Sequence, residues 1–508
     1  MLLKEIPRCG CILASHILQE DYDLRGLVVD SRKTTPTTAF YAIRGGCQDG
    51  HRFVEQAAAM GAPAIFVGDK QVFESLCAAP PPGVFGIFLV VPDRKTLADI
   101  SGLVYEHPSQ KLNLLGVTGT NGKTTTTYLA AQMLHGLGQP CAILGGLGMR
   151  LEGRVRPTER TTPEAPDIQS FLDECVGRGA HWAALEVSSI GLDLERTRGL
   201  CFKGGAFTNF SQDHLDFHAD MAAYLEAKTK FFSDYPIETA VINVDDREGV
   251  TLADRLKKNK RSTLTYGLNN PADLTARQIS LNSEGASGIL DYQGQTAPFS
   301  TPLLGKYNLY NLLAALGLLL AGGIGFSRLP PLTGLCAGAP GRFERVTTGH
   351  LFLAVVDYAH TPDGLENLLS SARILSRGRV LLAFGCGGER DAAKRPLMGL
   401  VGHQWADVLV LTNDNPRGEH PEAILDQIEQ GIPRSGPDAL SPSSLSKQMV
   451  RIPNRKEAIF WLLDQAQPGD VVLIVGKGDE AYQEIGGIRH PFSDREVVAQ
   501  WAKTHPPG

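Results

Sequence analysis

The chain has 508 residues, of which 43% are hydrophobic and 20% charged, with a formal net charge of −6. That length exceeds what one hydrophobic core usually serves, so two or three domains of ordinary soluble composition are expected. A mildly acidic chain without a long basic block excludes nucleic acid as an expected partner, and Lys257-Lys258-Asn259-Lys260-Arg261 reads as a solvated helix end. Nine scattered cysteines, with Cys9-Gly10-Cys11 the one close pair, fit a reducing compartment better than a disulfide framework or a zinc site. No apolar stretch of signal-peptide type follows Lys4, Glu5 and Arg8. The most apolar run, 312–321, is too short to span a bilayer and reads as a buried helix. A cytoplasmic protein is expected, without membrane insertion and acting as a monomer.

Residues 1–108 read as a small α/β domain, with strands at 27–29, 40–43, 64–67 and 88–91 and helices at 53–60 and 97–105. Two polar loops follow strand ends: Asp30-Ser31-Arg32-Lys33, and a glycine-bearing loop at 44–51 that contains Gln48. Surface turns and ligand loops account for them equally well. Glu106-His107-Pro108 is the expected linker.

A second domain, 109–343, opens on NLLGVTGTNGKTTTT at 113–127. An apolar run, then glycines, then Lys123, Thr124 and Thr125 is a strand, a tight loop and a helix start, the arrangement that cradles phosphate. Gly119 and Gly122, with Thr120 and Asn121 between them, let backbone N–H groups approach an anion. Lys123 would reach the β- and γ-phosphates, and the Thr124 hydroxyl a magnesium ion on them. Val117 stands where the general pattern has its first glycine, so the loop is a variant.

Further along, the strand at 183–187 carries Glu186 near its end, followed by Ser188 and Ser189, where a second magnesium contact is needed. Residues 207–218 hold His214, His218, Asp213 and Asp216. Asp220 caps a helix on which Lys228 shares an apolar face with Tyr224, Leu225, Phe231 and Phe232. By position alone Lys228 snorkels to water; the alternative is a desolvated, reactive amine. A β-rich section at about 262–302 precedes the buried helix, which begins with Asn308 and Asn311 on one face. The third domain, 344–508, repeats one theme: apolar strands at 352–356, 380–384, 408–411 and 471–475, each running into a glycine-rich or charged loop. That pattern makes a Rossmann-like parallel sheet whose carboxyl ends line a cleft. Its mixture of arginines and carboxylates suits a zwitterionic ligand.

In this order GTNGKT (119–124), EVSS (186–189), TNFSQDHLDFH (208–218), Lys228, NLYN (308–311), GRFE (341–344), DYAHTPD (357–363) and DNPR (414–417) resemble the Mur ligases. The closest likeness is to the type that adds the third peptide residue in bacterial cell-wall synthesis. The resemblance covers nearly the whole chain and implies three α/β domains: a small N-terminal one for a UDP-sugar, a central P-loop ATPase, and a C-terminal one for the incoming amino acid. It implies ATP and Mg2+ as cofactors, with Thr124, Glu186, His214 and Lys228 at the metal and Lys228 carbamylated. Catalytic roles fall to Lys123, Lys228, His214 and Glu186. Asn308, Arg342 and Asp357 would contact ATP. Ser31 and the loop to Gln48 would contact the UDP moiety, and Thr161, Thr162, Ser188 and Arg196 the sugar-peptide. Arg390, Asp414, Asn415, Pro416, Arg417, Gly476 and Glu480 would hold the amino acid.

The implied reaction joins meso-diaminopimelate to the D-glutamyl γ-carboxylate of UDP-N-acetylmuramoyl-L-alanyl-D-glutamate through an acyl phosphate. Diaminopimelate carries a carboxylate where lysine has only an ammonium. Arg417 as a bidentate fork suits the former and would be left unpaired by the latter. Ile190, Leu194, Arg160 and Asp479 depart from the family pattern around the two substrate sites. The rival readings are the same ligation with L-lysine, a P-loop ATPase that switches without ligating, and a scaffold without catalysis.

Overall fold

The computed structural model describes residues 1–45, 48–158, 160–433 and 448–506. Gly46 and Cys47 of the first glycine-bearing loop therefore lie outside the described residues. Three sheets of five, eleven and six strands succeed one another along the chain, with one further two-stranded hairpin, so the expected three-part α/β architecture is observed.

In the first sheet Gly26–Val28, Thr38–Ala42, Ala64–Val67 and Gly86–Val90 run parallel, and Ile12–Ile17 pairs antiparallel with Gly86–Val90 at the edge. Ala64–Val67 and Gly86–Val90 are buried throughout, and Phe66 stacks between Tyr41 and Phe88 at centroid distances of 6.0 and 4.8 Å. The edge strand and the helix Lys70–Ala78 escaped the sequence reading. The strand alternates only loosely between half-buried and exposed residues, and no residue of the helix is fully buried.

The central sheet is organised around Asn113–Thr118, which lies parallel between Trp182–Glu186 and Phe202–Phe207. Buried on both faces, this strand is apolar throughout its middle, as parallel sheets require. Gly116 is a packing necessity: a Cβ there would stand 2.5 Å from Phe231 and 2.9 Å from Phe202, two rings packed edge-on at 5.0 Å. The apolar run at 312–321 belongs to the helix Lys306–Ala321, which is buried along nearly its whole length against the sheet and the helix Lys123–Gly136. In the β-rich section Thr263–Gly267 and Leu274–Asn282 continue the parallel sheet, and Gly285–Tyr292 and Gln295–Thr301 extend it antiparallel. The helix Arg247–Lys258 ends where the basic run begins to accumulate, as expected.

In the third sheet Leu353–Asp357, Val471–Val475, Val380–Phe384, Val408–Leu411 and Gln448–Arg451 are parallel, in that spatial order, with Glu344–Val346 antiparallel at the edge. Val471–Val475, the last of this sheet in sequence, is inserted between Leu353–Asp357 and Val380–Phe384. This reversal of order opens a crevice at the carboxyl ends, where Asp357, Gly385, Thr412 and Gly476 begin their loops. Gln448–Arg451, half-exposed and without an apolar run, was not foreseen.

Candidate functional site

The phosphate loop is shaped by the residues around it. Thr208 Oγ1 donates to Asn121 O (2.6 Å), and Asn121 N donates to Asn209 Oδ1 (2.8 Å). Gly119 and Gly122 have φ of +144° and +86°. A Cβ would stand 1.9 Å from Thr208 Oγ1 at the first and 2.3 Å from Asn311 Oδ1 at the second. Both positions thus exclude a side chain by conformation and by space. The helix Lys123–Gly136 begins immediately afterwards, so its free N–H groups face the loop. Lys123 Nζ folds back to donate to Gly119 O and Thr120 O, both at 2.8 Å. Burial lowers its pKa, and an anion in the loop would satisfy it better than two carbonyls.

Beside the loop, Thr124 Oγ1 donates to Glu186 Oε2 (2.8 Å) and Gly146 N to Glu186 Oε1 (3.1 Å). Glu186 is only 1% exposed, and burial raises its pKa against the opposing pull of Lys123. Thr125 is buried on the same helix, and Thr161 lies beside Gly146. Thr162 Oγ1 donates to Glu186 O (2.8 Å) and accepts from Ser188 N (2.9 Å), tying the expected sugar-peptide residues to the Glu186 backbone. Arg196 donates to Thr162 O (3.1 Å) and pairs with Glu164 (3.1 Å). Arg94 and Arg160 also face Glu164, at 2.8 and 3.5 Å. Three guanidinium groups around one buried carboxylate leave this wall cationic. Glu164 was missed by sequence reasoning, and the departure at Arg160 has a partner in it.

Lys228 does not snorkel. It is 1% exposed, donates from Nζ to Gly119 O (2.8 Å) and lies 4.4 Å from the Tyr224 ring centroid. The helix Met221–Asp234 turns this face inward, with Tyr224, Phe231 and Phe232 buried around it, and the stem cannot reach water. Lys123 and Lys228 share the Gly119 carbonyl. Burial and then the Lys123 charge push the Lys228 amine well below its ordinary pKa. His214, at φ +54°, sits edge-on to Tyr224 at 5.9 Å with Asp213 at 3.6 Å. His218 is fixed by Ser189 (2.9 Å) and Asp193 (3.3 Å). Among the described residues no three His, Cys, Asp or Glu side chains converge as a ready-made metal cage. Instead Thr124 with Glu186 forms one direct pair, and Lys228 and His214 both lie against Tyr224 as another group.

The third domain closes on the loop through a residue that the motif contained but the reading did not single out. Asp363 Oδ2 accepts from Asn121 Nδ2 (3.1 Å) and Ser211 Oγ (2.9 Å). Asp357 is buried and accepts from Phe343 N and Ala359 N, both at 2.6 Å, and so shapes the chain entry to the domain. Arg342 stacks 4.1 Å from the Tyr358 ring centroid, with Nε buried and lacking a hydrogen-bond partner. Asn308 Nδ2 donates to Leu304 O (2.9 Å), and its Oδ1 accepts from Asn311 (3.0 Å).

At the strand ends Lys477, fully buried, donates to Asn415 Oδ1 (2.9 Å) and Glu480 Oε2 (2.8 Å), and Asn415 donates to the same Glu480 oxygen (2.8 Å). Burial raises the pKa of Asp414. Gly476 (φ +118°) passes so close to Asp414 that a Cβ would stand 2.4 Å from its Oδ2. Arg417, at φ +51°, donates from Nη1 to Gly388 O (2.6 Å), with Glu484 at 3.9 Å. A Cβ on Gly387 would meet Arg417 at 3.0 Å and the exposed Arg390 at 3.7 Å, so the two arginines flank that turn. Gly388 passes against the Pro416 carbonyl. Lys477 and Glu484 were missed. Glu484 comes from the hairpin Tyr482–Ile485 with Ile488–Pro491, whose turn glycines Gly486 and Gly487 (φ +58° and +77°) were a legible sign. In the first domain Ser31 Oγ donates to Gln56 (2.8 Å), whereas Gln48 lies exposed on a separate loop.

Comparison with known proteins places this geometry. Family models match at residues 23–87 (Mur ligase family, catalytic domain), 117–319 (Mur ligase middle domain) and 341–478 (Mur ligase, glutamate ligase domain). The chain is similar to the UDP-N-acetylmuramoyl-L-alanyl-D-glutamate–2,6-diaminopimelate ligases of Gloeobacter violaceus (41% identical) and Geobacter metallireducens (38%), with 94% of each chain covered in both cases. A solved structure of a ligase with the same name is 32% identical, with a TM-score of 0.69 over 100% of both chains. Motifs, fold and similarity along the full length agree: the chain belongs to the Mur ligase family.

Proposed function

We propose that this chain is an ATP-dependent ligase joining meso-diaminopimelate to the D-glutamyl γ-carboxylate of UDP-N-acetylmuramoyl-L-alanyl-D-glutamate, a step of peptidoglycan precursor synthesis. The observation that carries the reading is the Asp363 contact to Asn121 and Ser211, which joins the arginine- and carboxylate-lined loops of the third domain to the phosphate loop. A nucleotide switch has no need of that second site. The names of the relatives point the same way.

The loop backbone and Lys123 hold the ATP phosphates, and the half-buried Arg342 guanidinium, with its Nε buried and unpartnered, approaches them from the end of the central domain. The hard oxygen donors of Thr124 and Glu186 beside the loop fit a magnesium ion, which would neutralise phosphate charge and polarise the reacting phosphorus. Lys228, whose amine burial and the Lys123 charge push toward the neutral form, is competent to add carbon dioxide and become an anionic ligand, with His214 nearby. The cationic wall of Arg94, Arg160 and Arg196 suits the acidic sugar-peptide. Its γ-carboxylate attacks the γ-phosphate, the bond to the β,γ-bridging oxygen breaks, and ADP leaves the acyl phosphate that has formed. The amine of diaminopimelate then attacks the carbonyl, and phosphate leaves. No covalent nucleophile on the protein is needed, because positioning and charge neutralisation supply the rate. Arg417, held by Gly388 O, presents a fork to the distal carboxylate, with Arg390 across the turn.

Oxygen-18 in the D-glutamyl γ-carboxylate tests this directly. A ligase working through an acyl phosphate transfers one labelled oxygen to the released phosphate. Unlabelled phosphate would sink the reading and favour the ATPase switch.

A further inference from the structure

Cys9 and Cys11 lie outside every site described above. Cys9 ends the 3₁₀ turn Leu3–Arg8, and Cys11 leads into the edge strand Ile12–Ile17. Between them Gly10 stands in open space, with no atom within 4 Å of where a Cβ would be. The bend brings the two Sγ atoms to 2.7 Å. That is inside the contact distance of unbonded sulfurs and not far from the roughly 2.05 Å of an S–S bond. Both residues are half-buried, within reach of a small solute.

We propose that Cys9 and Cys11 form a reversible dithiol–disulfide site, oxidised by small-molecule disulfides of the glutathione type. Cys9 is the attacking sulfur, because burial and the adjoining Cys9 thiol push Cys11 up to about 12 and keep its proton in place. The Cys9 thiolate attacks one sulfur of glutathione disulfide and releases one glutathione thiolate. Cys11 then loses its proton and displaces the second glutathione from Cys9. In sum, two protein thiols give up two protons and two electrons, and one glutathione disulfide becomes two glutathiones. A ring closed over a single intervening residue is strained, and strained disulfides are the readily reduced ones, so the site stays open in a reducing compartment and closes when the glutathione pool is oxidised. The Cys11 carbonyl accepts from Val91 N at 3.2 Å, next to the segment leading to the helix Arg94–Val104. That helix carries Arg94 and Asp99, which pair with Glu164 and Arg198 of the central domain at 2.8 and 2.9 Å.

The intact chain should be equilibrated in glutathione buffers from fully reduced to strongly oxidised, quenched with acid, alkylated and digested with trypsin. Cleavage after Arg8 and Arg25 places both cysteines in one peptide. In oxidised buffer that peptide should be lighter by two hydrogens and take no alkyl group, and excess reduced glutathione should restore two alkylatable thiols. Two alkylated thiols at every poise, or a glutathione adduct that persists in place of the internal bond, would overturn the proposal. The Cys11→Ser chain should trap glutathione on Cys9; its absence there would overturn the assigned order of attack.

Discussion

Replacing Gly122 by alanine tests whether the phosphate loop works in the conformation described. The backbone at Gly122 has φ +86°, and a Cβ would stand 2.3 Å from Asn311 Oδ1. A left-handed conformation costs an L-residue roughly 1–2 kcal/mol. The clash adds to this, because Asn311 is buried and bonded to Asn308 and cannot simply swing away. A combined cost of about 2 kcal/mol or more falls on the loop geometry that binds the nucleotide, and at ~1.4 kcal/mol per tenfold it predicts a loss of ATP affinity of roughly 30-fold. Calorimetric binding of a non-hydrolysable ATP analogue to Gly122→Ala measures it. Adding Asn311→Gly removes the clash but leaves the backbone strain, so the double variant should recover only part of the loss and show non-additive coupling. Unchanged affinity in Gly122→Ala would refute both the conformation and the role of the loop.

Three further outcomes are expected. Arg417→Lys keeps the charge but removes the fork, so KM for diaminopimelate should rise by one to two orders of magnitude, worth about 1.5–3 kcal/mol, while KM for ATP stays within a few-fold in steady-state assays. Lys228→Met keeps the buried stem and removes the amine. Phosphate release should fall by roughly a hundredfold or more with an unchanged melting temperature, and carbon-dioxide-free buffer should depress the unsubstituted enzyme reversibly. The pH dependence follows from Glu419, whose bonds to the buried Arg395 (2.8 and 2.9 Å) hold its carboxyl at about 2 against an ordinary 4.5. Because the folded-state pKa is depressed, its stabilisation is present above pH 4.5 and lost as pH falls toward 2. Glu419 is one-third exposed, so solvent screening reduces its contribution to about 1–2 kcal/mol. Acid-unfolding curves of Glu419→Gln should start lower at neutral pH and fall less steeply across that window.

Where the chain is locally explicit, its structure could be read before it was seen. The glycines and Lys123 of the phosphate loop, the strand ending at Glu186, the Asp220 cap and the four apolar strands of the third domain each announce themselves by residue type and spacing. What escaped depends on tertiary partners. Lys228 looks like a snorkelling lysine until Tyr224 and Gly119 enclose it, because helical spacing reports a face but not what covers it. Glu164 and Lys477 are charges whose burial only their partners explain, and Arg94 and Arg196 beside the first, and Asn415 beside the second, lie far away in sequence. Ile12–Ile17 and Gln448–Arg451 are sheet-edge strands, half solvated and so without the apolar run that marks a buried strand.

A ligase of this kind ties phosphate release to two acceptors at once. With ATP, magnesium and UDP-N-acetylmuramoyl-L-alanyl-D-glutamate supplied, release should be fast with meso-diaminopimelate, with the tripeptide product seen by mass, and near background with L-lysine or no amino acid. Equal release with L-lysine would contradict the role given to Arg417, and release indifferent to both added substrates would contradict the ligase itself.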